Sequence, residues 1–310
     1  STSLRQLFMK TILITGAGGF LGRYLIEALV SESRYKILAF DLTTELLKKR
    51  FTQFEQIEFY ENADFLNKNI PFDQVNLIIH CAFSRSSEGK ALAGSLDFTK
   101  KMLLASEQHN IQSFINISSR CVYGQNPDTP WTEQTIVYPD SMYALAKYSS
   151  ELMTNQIAST TDLNCTNIRL AGLNSPGLDE RITSIFIKKI IDRQPIKIIG
   201  GKQNFSFLDI RDAANGIVAL INNSNPEEWQ DIYNFGPPHT HSIIELADMI
   251  AEASKNYVKH KVNIEIERTN VELFAQMDSS LFYQITGWRP QYDMRAIIRS
   301  IFEYQMSQNG

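Results

Sequence analysis

The chain has 310 residues, enough for two domains or one large α/β unit. With 43% hydrophobic and 21% charged residues it has the composition of a soluble globular protein, which excludes the collagen-like and disordered classes. Thirty Lys and Arg against 34 Asp and Glu leave a net charge of −4 without any block of like charge, so there is no electrostatic footprint for nucleic acid or an anionic membrane surface, and a small-molecule partner is expected.

The stretch Phe8–Gly19 superficially resembles a charged cap, an apolar run and a small-residue cleavage site, but its glycines have another use, given below. Residues Ser1–Phe8 read as a lead ahead of Met9. No apolar run reaches the ~18 residues of a membrane span. Cys81, Cys121 and Cys165 lie far apart without metal-ligand spacing, which fits reduced thiols in a cytoplasmic protein and no metal site.

In chain order, short β-rich runs at Thr11–Thr15, Lys36–Phe40, Ile57–Tyr60, Val75–Cys81, Phe114–Ser118 and Cys165–Leu170 alternate with helical patterns. Those helices read as Phe20–Ser31, Ala91–His109 and Ser141–Ser159, the last with Asp140 or Ser141 as N-cap. Runs such as Leu77-Ile78-Ile79 have no polar side, as expected of parallel strands covered on both faces. The pattern predicts an α/β fold: a Rossmann-like doubly wound parallel sheet. From about Gly172 the texture changes to a loop, a helix near Arg181–Asp192, short strands, and helices near Ser242–Lys255 and Asp293–Gln305, which reads as a smaller α+β domain. The expected division is 9–170 for the dinucleotide-binding domain, with 206–236 returning to it, and 171–205 with 237–310 for the substrate domain. No polar linker separates the two, so a shared cleft is expected.

Two constellations carry chemistry. The first strand runs into Gly16-Ala17-Gly18-Gly19-Phe20-Leu21-Gly22 and then a helix, the context in which glycines let a pyrophosphate approach the backbone and a helix N-terminus supplies donors. The second strand ends at Asp41, 19 residues past Gly22, where a carboxylate grips ribose hydroxyls and repels a 2′-phosphate; NAD is therefore favoured over NADP. The second constellation is Tyr143 and Lys147, one helical turn apart, with Ser119 at the end of a predicted strand. A free phenol titrates near ~10. A neighbouring ammonium is expected to favour the phenolate, allowing Tyr143 to exchange a proton with a substrate hydroxyl that Ser119 orients.

These residues, with Asp64-Phe65-Leu66, His80-Cys81-Ala82, Ser118-Ser119-Arg120-Cys121-Val122-Tyr123-Gly124, Arg169-Leu170-Ala171-Gly172, Phe207–Ala214, Tyr233–Gly236, Ile244–Ala247 and Asp278 followed by Gly287-Trp288-Arg289-Pro290, resemble the extended short-chain dehydrogenase/reductases. The pattern is similar to their NAD-dependent epimerase/dehydratase group and spans about residues 11–303. The resemblance implies catalytic roles for Ser119, Tyr143 and Lys147. It implies cofactor contacts from Gly16, Gly19, Phe20, Leu21, Gly22, Asp41, Asp64, Phe65, Cys81, Ala82, Phe83, Lys147 and Leu170. Arg268 matches a diphosphate-binding arginine, and Arg85 is a second anion contact beside Ser119 on the substrate side. His80 is structural in such proteins.

The chain also departs from the pattern. A common asparagine on the helix before the serine strand is absent from Ser95–Thr99, and Gly172 and Phe205 stand where nucleotide-sugar enzymes commonly carry Asn and Arg. A 4,6-dehydratase needs an acidic pair after the serine, which Arg120-Cys121 cannot supply. The resemblance therefore implies a nucleotide-sugar epimerase, with an NAD-dependent sugar or alcohol dehydrogenase or ketoreductase as the alternative and a non-catalytic dinucleotide sensor further off. It also implies a homodimer built on the helices near Ala91–His109 and Ser141–Ser159, with Met102, Leu103, Leu145, Leu152 and Met153 as candidate apolar contacts.

Overall fold

The computed structural model describes residues 9–270 and 272–309. The lead Ser1–Phe8 lies outside the described residues. Strands β1 (Lys10–Thr15), β2 (Tyr35–Phe40), β3 (Ile57–Tyr60), β4 (Leu77–His80), β5 (Ser113–Ser119) and β6 (Asn164–Leu170) form in the first half of the chain. They are followed by β7 (Gly172–Asn174), β8 (Ile196–Ile199), β9 (Asn204–Phe205), β10 (Phe207–Asp209), β11 (Ile232–Phe235), β12 (His241–Ser242) and β13 (Ile264–Glu267).

A seven-stranded sheet runs in the order β11-β6-β5-β4-β1-β2-β3, and every pairing in it is parallel. Its central strands are apolar because both faces are covered: Ile12, Leu13, Ile14, Leu77, Ile78 and Ile79 are completely buried. The order reverses between β1 and β4, and at such a switch point the helices leaving adjacent strands go to opposite faces and open a crevice at the carboxyl edge.

The helices are α1 (Phe20–Val30), α2 (Glu45–Phe51), α3 (Asn62–Leu66), α4 (Gly89–Gln108), α5 (Met142–Thr160), α6 (Ile182–Ile191), α7 (Ile210–Asn223), α8 (Ile243–Ser254), α9 (Ser280–Thr286) and α10 (Met294–Gln308). One apolar core lies between the sheet and α1 and α7, and a second lies on the opposite face under α4. A third, separate core joins α6, β8, α8 and α10 through Phe186, Ile196, Leu246, Ile298 and Phe302, and forms the smaller lobe. Leu208, Ile210, Ile217, Tyr233 and Phe235 pack in the first core, as do Ala275, Met277 and Phe282. The segment around α9 thus packs on the large sheet, whereas the sequence reading puts all of 237–310 in the smaller lobe.

Candidate functional site

A cleft of about 1430 Å³ opens along the carboxyl edge of the sheet. It exceeds the roughly 300–1,000 Å³ usual for one ligand, which suits two molecules side by side. Its floor is built from strand ends: Gly16 after β1, Asp41 after β2, Cys81 after β4, Ser119 at the end of β5 and Leu170 at the end of β6 all line it.

The glycine loop at one end is shaped for close backbone approach. Gly16 has φ +65°, and a Cβ there would fall 2.7 Å from the backbone nitrogen of Ala82; at Gly22 it would fall 2.4 Å from the carbonyl of Gly16. Helix α1 begins at Gly19 with no side-chain cap, so its first-turn N–H groups face the cleft with their positive potential. Asp41 Oδ2 accepts a hydrogen bond from the Gly18 N–H at 2.7 Å and Oδ1 one from Leu42 N–H at 2.7 Å, which fixes the carboxylate at the rim. Beyond it, Phe40, Phe65 and Phe98 contact one another, and the exposed side chains of Leu42 and Leu66 complete an apolar ledge suited to a flat base. These features fit a dinucleotide: a backbone cradle for the pyrophosphate, a carboxylate for the ribose, and a ledge for the adenine.

At the other end, Ser141 caps α5 by accepting from Ala144 N–H, and the helix carries Tyr143, Lys147 and Glu151 at successive turns of one face. Lys147 is buried; its Nζ donates to the carbonyl of Ile117 at 2.9 Å and lies 4.1 Å from the centre of the Phe83 ring and 5.9 Å from that of Tyr143. Phe83 stands edge-on to Tyr143. Ser119 Oγ accepts from the Cys121 N–H at 3.2 Å, leaving its hydroxyl proton to give. Burial lowers the Lys147 ammonium to about 8, and burial pushes the Tyr143 phenol up to about 12, with Arg181 and Arg85 pulling the phenol the other way. Desolvation outweighs the two guanidinium charges at the phenol.

Beneath this end lies a polar network. Glu151, 1% exposed, accepts from Ser118 Oγ at 2.5 Å and from Arg169 Nε and Nη2 at 2.9 and 2.7 Å. Arg169 Nη1 donates to the Tyr123 hydroxyl, which donates to Asn234 Oδ1. The network ties α5 to β5, β6 and β11, fixing the height of Tyr143 and Lys147 above the sheet. His80 is structural here too: its ring nitrogens meet the hydroxyls of Thr15 and Thr99, and burial lowers it to about 3.

Of the residues singled out from sequence, Gly16, Gly19, Phe20, Leu21, Gly22, Asp41, Phe65, Cys81, Ala82, Phe83, Arg85, Ser119, Tyr143, Lys147 and Leu170 line the cleft. Two do not. The Asp64 carboxylate turns back to accept the Glu61 N–H at 2.7 Å in a capping box, and Asn62 lines the cleft from the same helix. Arg268 is exposed just past β13, which pairs with β8 in the smaller lobe, and is not among the residues that line the cleft. Conversely, Arg181 and Glu151 were not singled out. A glutamate four residues beyond Lys147 was the available signal for Glu151; Arg181 had none stronger than its place at a helix start.

Residues 12–236 match the model of the NAD dependent epimerase/dehydratase family. The chain belongs to that family. Its fold and its nicotinamide dinucleotide cofactor follow from the membership, and the glycine loop and Asp41 are the parts of this chain that fit NAD. Protein CapI of Staphylococcus aureus is 27% identical over 288 residues, covering 80% of this chain and 86% of its own. The UDP-glucose 4-epimerase of Mycolicibacterium smegmatis is 22% identical and covers 96% and 98%. Among solved structures, a variant of UDP-glucuronic acid 4-epimerase from Bacillus cereus, in complex with UDP-4-deoxy-4-fluoro-glucuronic acid and NAD, superposes with a TM-score of 0.81 at 21% identity, covering 97% of this chain and all of that one. Among the described residues no helix is long and apolar enough to cross a membrane.

Proposed function

We propose that the protein is an NAD-dependent epimerase of a nucleotide-diphosphate sugar, with Ser119, Tyr143 and Lys147 as its catalytic residues. The observation that carries this reading is the convergence of those three side chains on the same cleft that holds the glycine loop and Asp41. When bound, NAD supplies reversible hydride acceptance, so that a ring carbinol can be oxidised to a ketone and reduced again from the other face. The protein's part is proton handling and positioning. Ser119 and Tyr143 would hydrogen-bond the substrate oxygen; as the phenolate, favoured by the Lys147 ammonium and by the positive charge of the oxidised cofactor, Tyr143 would take its proton as the carbonyl forms and return it when the carbinol is restored. Burial pushes the phenol up, so the phenolate depends on those two positive charges, and the phenol formed by the transfer holds the proton ready for the return step. Lys147, fixed by the Ile117 carbonyl and Phe83, would present its remaining N–H groups to the cofactor ribose and its charge to the phenol oxygen.

Arg120-Cys121 after Ser119 offers no acid pair for dehydration, and an epimerase keeps its cofactor through many cycles. Mass spectrometry of the purified, denatured protein tests this: co-released NAD is expected, and a site that exchanges its cofactor freely favours the dehydrogenase alternative.

The homodimer belongs to the same proposal, with an altered surface. Met102 and Leu103 are buried in the protein's own core, whereas Leu104 on α4 and Leu145 and Leu152 on α5 are 39%, 49% and 52% exposed. These three supply the apolar contacts, and Leu145→Glu with Leu152→Glu is expected to leave monomers by light scattering; dimers that persist would refute this surface. The three free cysteines support a reducing, cytoplasmic setting.

A further inference from the structure

The reactive end of the cleft carries more positive charge than the reaction needs. Arg120 directly follows Ser119 and lines the cleft, its guanidinium lying 3.8 Å from where a Cβ on Gly172 would stand. Arg181, at the N-cap of α6, also lines the cleft, and its Nε is buried without a hydrogen-bond partner. Among the described residues neither guanidinium makes an ion pair. Three carboxylates of the cleft are engaged elsewhere, since Asp41 holds the Gly18 N–H, Asp97 pairs with Lys101 and Glu180 pairs with Arg85, while Asp140 also lines the cleft. Burial lowers Arg120, the neighbouring Cys121 thiol raises it, and the Arg181 charge lowers it again.

Two guanidinium groups so placed call for an oxyanion, and the fork of Arg120 matches a carboxylate. The anion must come with the substrate. Because Arg120 adjoins Ser119, which meets the reacting oxygen, the ring next to that oxygen is nearer than the nucleotide end. We propose that Arg120, assisted by Arg181, selects a sugar nucleotide whose ring itself carries a carboxylate. This rests on the sugar-nucleotide reading above and adds the class of sugar.

Calorimetric titration of UDP-glucuronic acid and UDP-glucose onto the NAD-loaded protein tests it, with Arg120→Met and Arg120→Lys beside the wild type and thermal melts reporting folding. The wild type is expected to bind the uronate at least about tenfold more tightly, the scale of one charged hydrogen bond. Arg120→Met should abolish that preference by weakening the uronate alone, and Arg120→Lys should restore part of it. Equal weakening of both nucleotides by Arg120→Met would place the diphosphate at Arg120 and overturn the acidic-sugar assignment. So would equal binding by the wild type, or a preference that survives Arg120→Met. If neither nucleotide binds while NAD does, the sugar-nucleotide reading itself falls, and this assignment with it.

Discussion

Removing the Glu151 carboxylate tests the part of the site that holds the catalytic helix in place. Glu151 and Arg169 are 1% and 2% exposed, and the carboxylate accepts three hydrogen bonds from Ser118 and Arg169. In Glu151→Ala the guanidinium remains buried with only the Tyr123 hydroxyl as partner, and breaking such a pair from one side costs about 3–5 kcal/mol. Unfolding entropy near 2.1 cal/mol/K per residue gives roughly 0.65 kcal/mol/K for a chain of 310 residues, so the melting temperature should fall by about 5–8 °C. The double variant Glu151→Leu with Arg169→Met removes both charges and should recover most of that loss, because replacing the whole pair by apolar groups spares the desolvation of each. Thermal unfolding followed by circular dichroism reads both numbers. A fall below about 1 °C in Glu151→Ala, or a double variant less stable than the single, would refute a coupled buried pair.

Other expectations follow from the same geometry. NAD should bind at least about tenfold more tightly than NADP, because like charges about 4 Å apart repel by up to about 4 kcal/mol at a dielectric near 20 before solvent screening; Asp41→Ala should narrow the gap, and equal dissociation constants in the wild type would contradict the role of Asp41. Tyr143→Phe should lose at least about a hundredfold in turnover with NAD affinity intact, the scale of general acid–base catalysis; retained turnover would remove Tyr143 from the mechanism. Lys147→Met should lose NAD affinity and turnover together. Its stability should also move with pH in a defined sense. The folded protein holds the Lys147 proton with a value of about 8 against an ordinary 10.5, so between these the unfolded chain binds more protons and wild-type stability gains as pH rises. The melting temperature of Lys147→Met minus that of the wild type should therefore be larger at pH 7 than at pH 10, and a constant difference would argue against the buried ammonium.

The parallel strands were legible because burial on both faces leaves no polar position to confuse the pattern: Ile57–Tyr60 coincides with β3, and the other five runs of the first half overlap their strands to within two residues at each end. The glycine loop was legible for a related reason, since backbone approach demands particular residues at particular places. Helix α7 was harder, because Asn215 and Gly216 break its propensity; Gly216 sits there because the Phe235 ring occupies the space a side chain would need. Helices α2, α3 and α9 span only five to seven residues, too short for a periodic pattern to emerge. Asp64 illustrates a different limit. Spacing relative to a motif locates a residue along the chain, but side-chain direction depends on local bonds, and a capping interaction turned Asp64 away. The state of Tyr143 depended on burial against several charges at once, which no linear spacing encodes.

The central claim, a recycled oxidation at a single ring carbon with Tyr143 handling the proton, is tested most directly by following the purified protein with UDP-glucuronic acid and, separately, UDP-glucose by proton NMR while monitoring reduced-cofactor absorbance. The account predicts that at least one of them converts to its 4-epimer, with no net accumulation of NADH, and that Tyr143→Phe stops the conversion. Accumulation of NADH in step with a keto or acid product, or epimerisation undiminished in Tyr143→Phe, would contradict it.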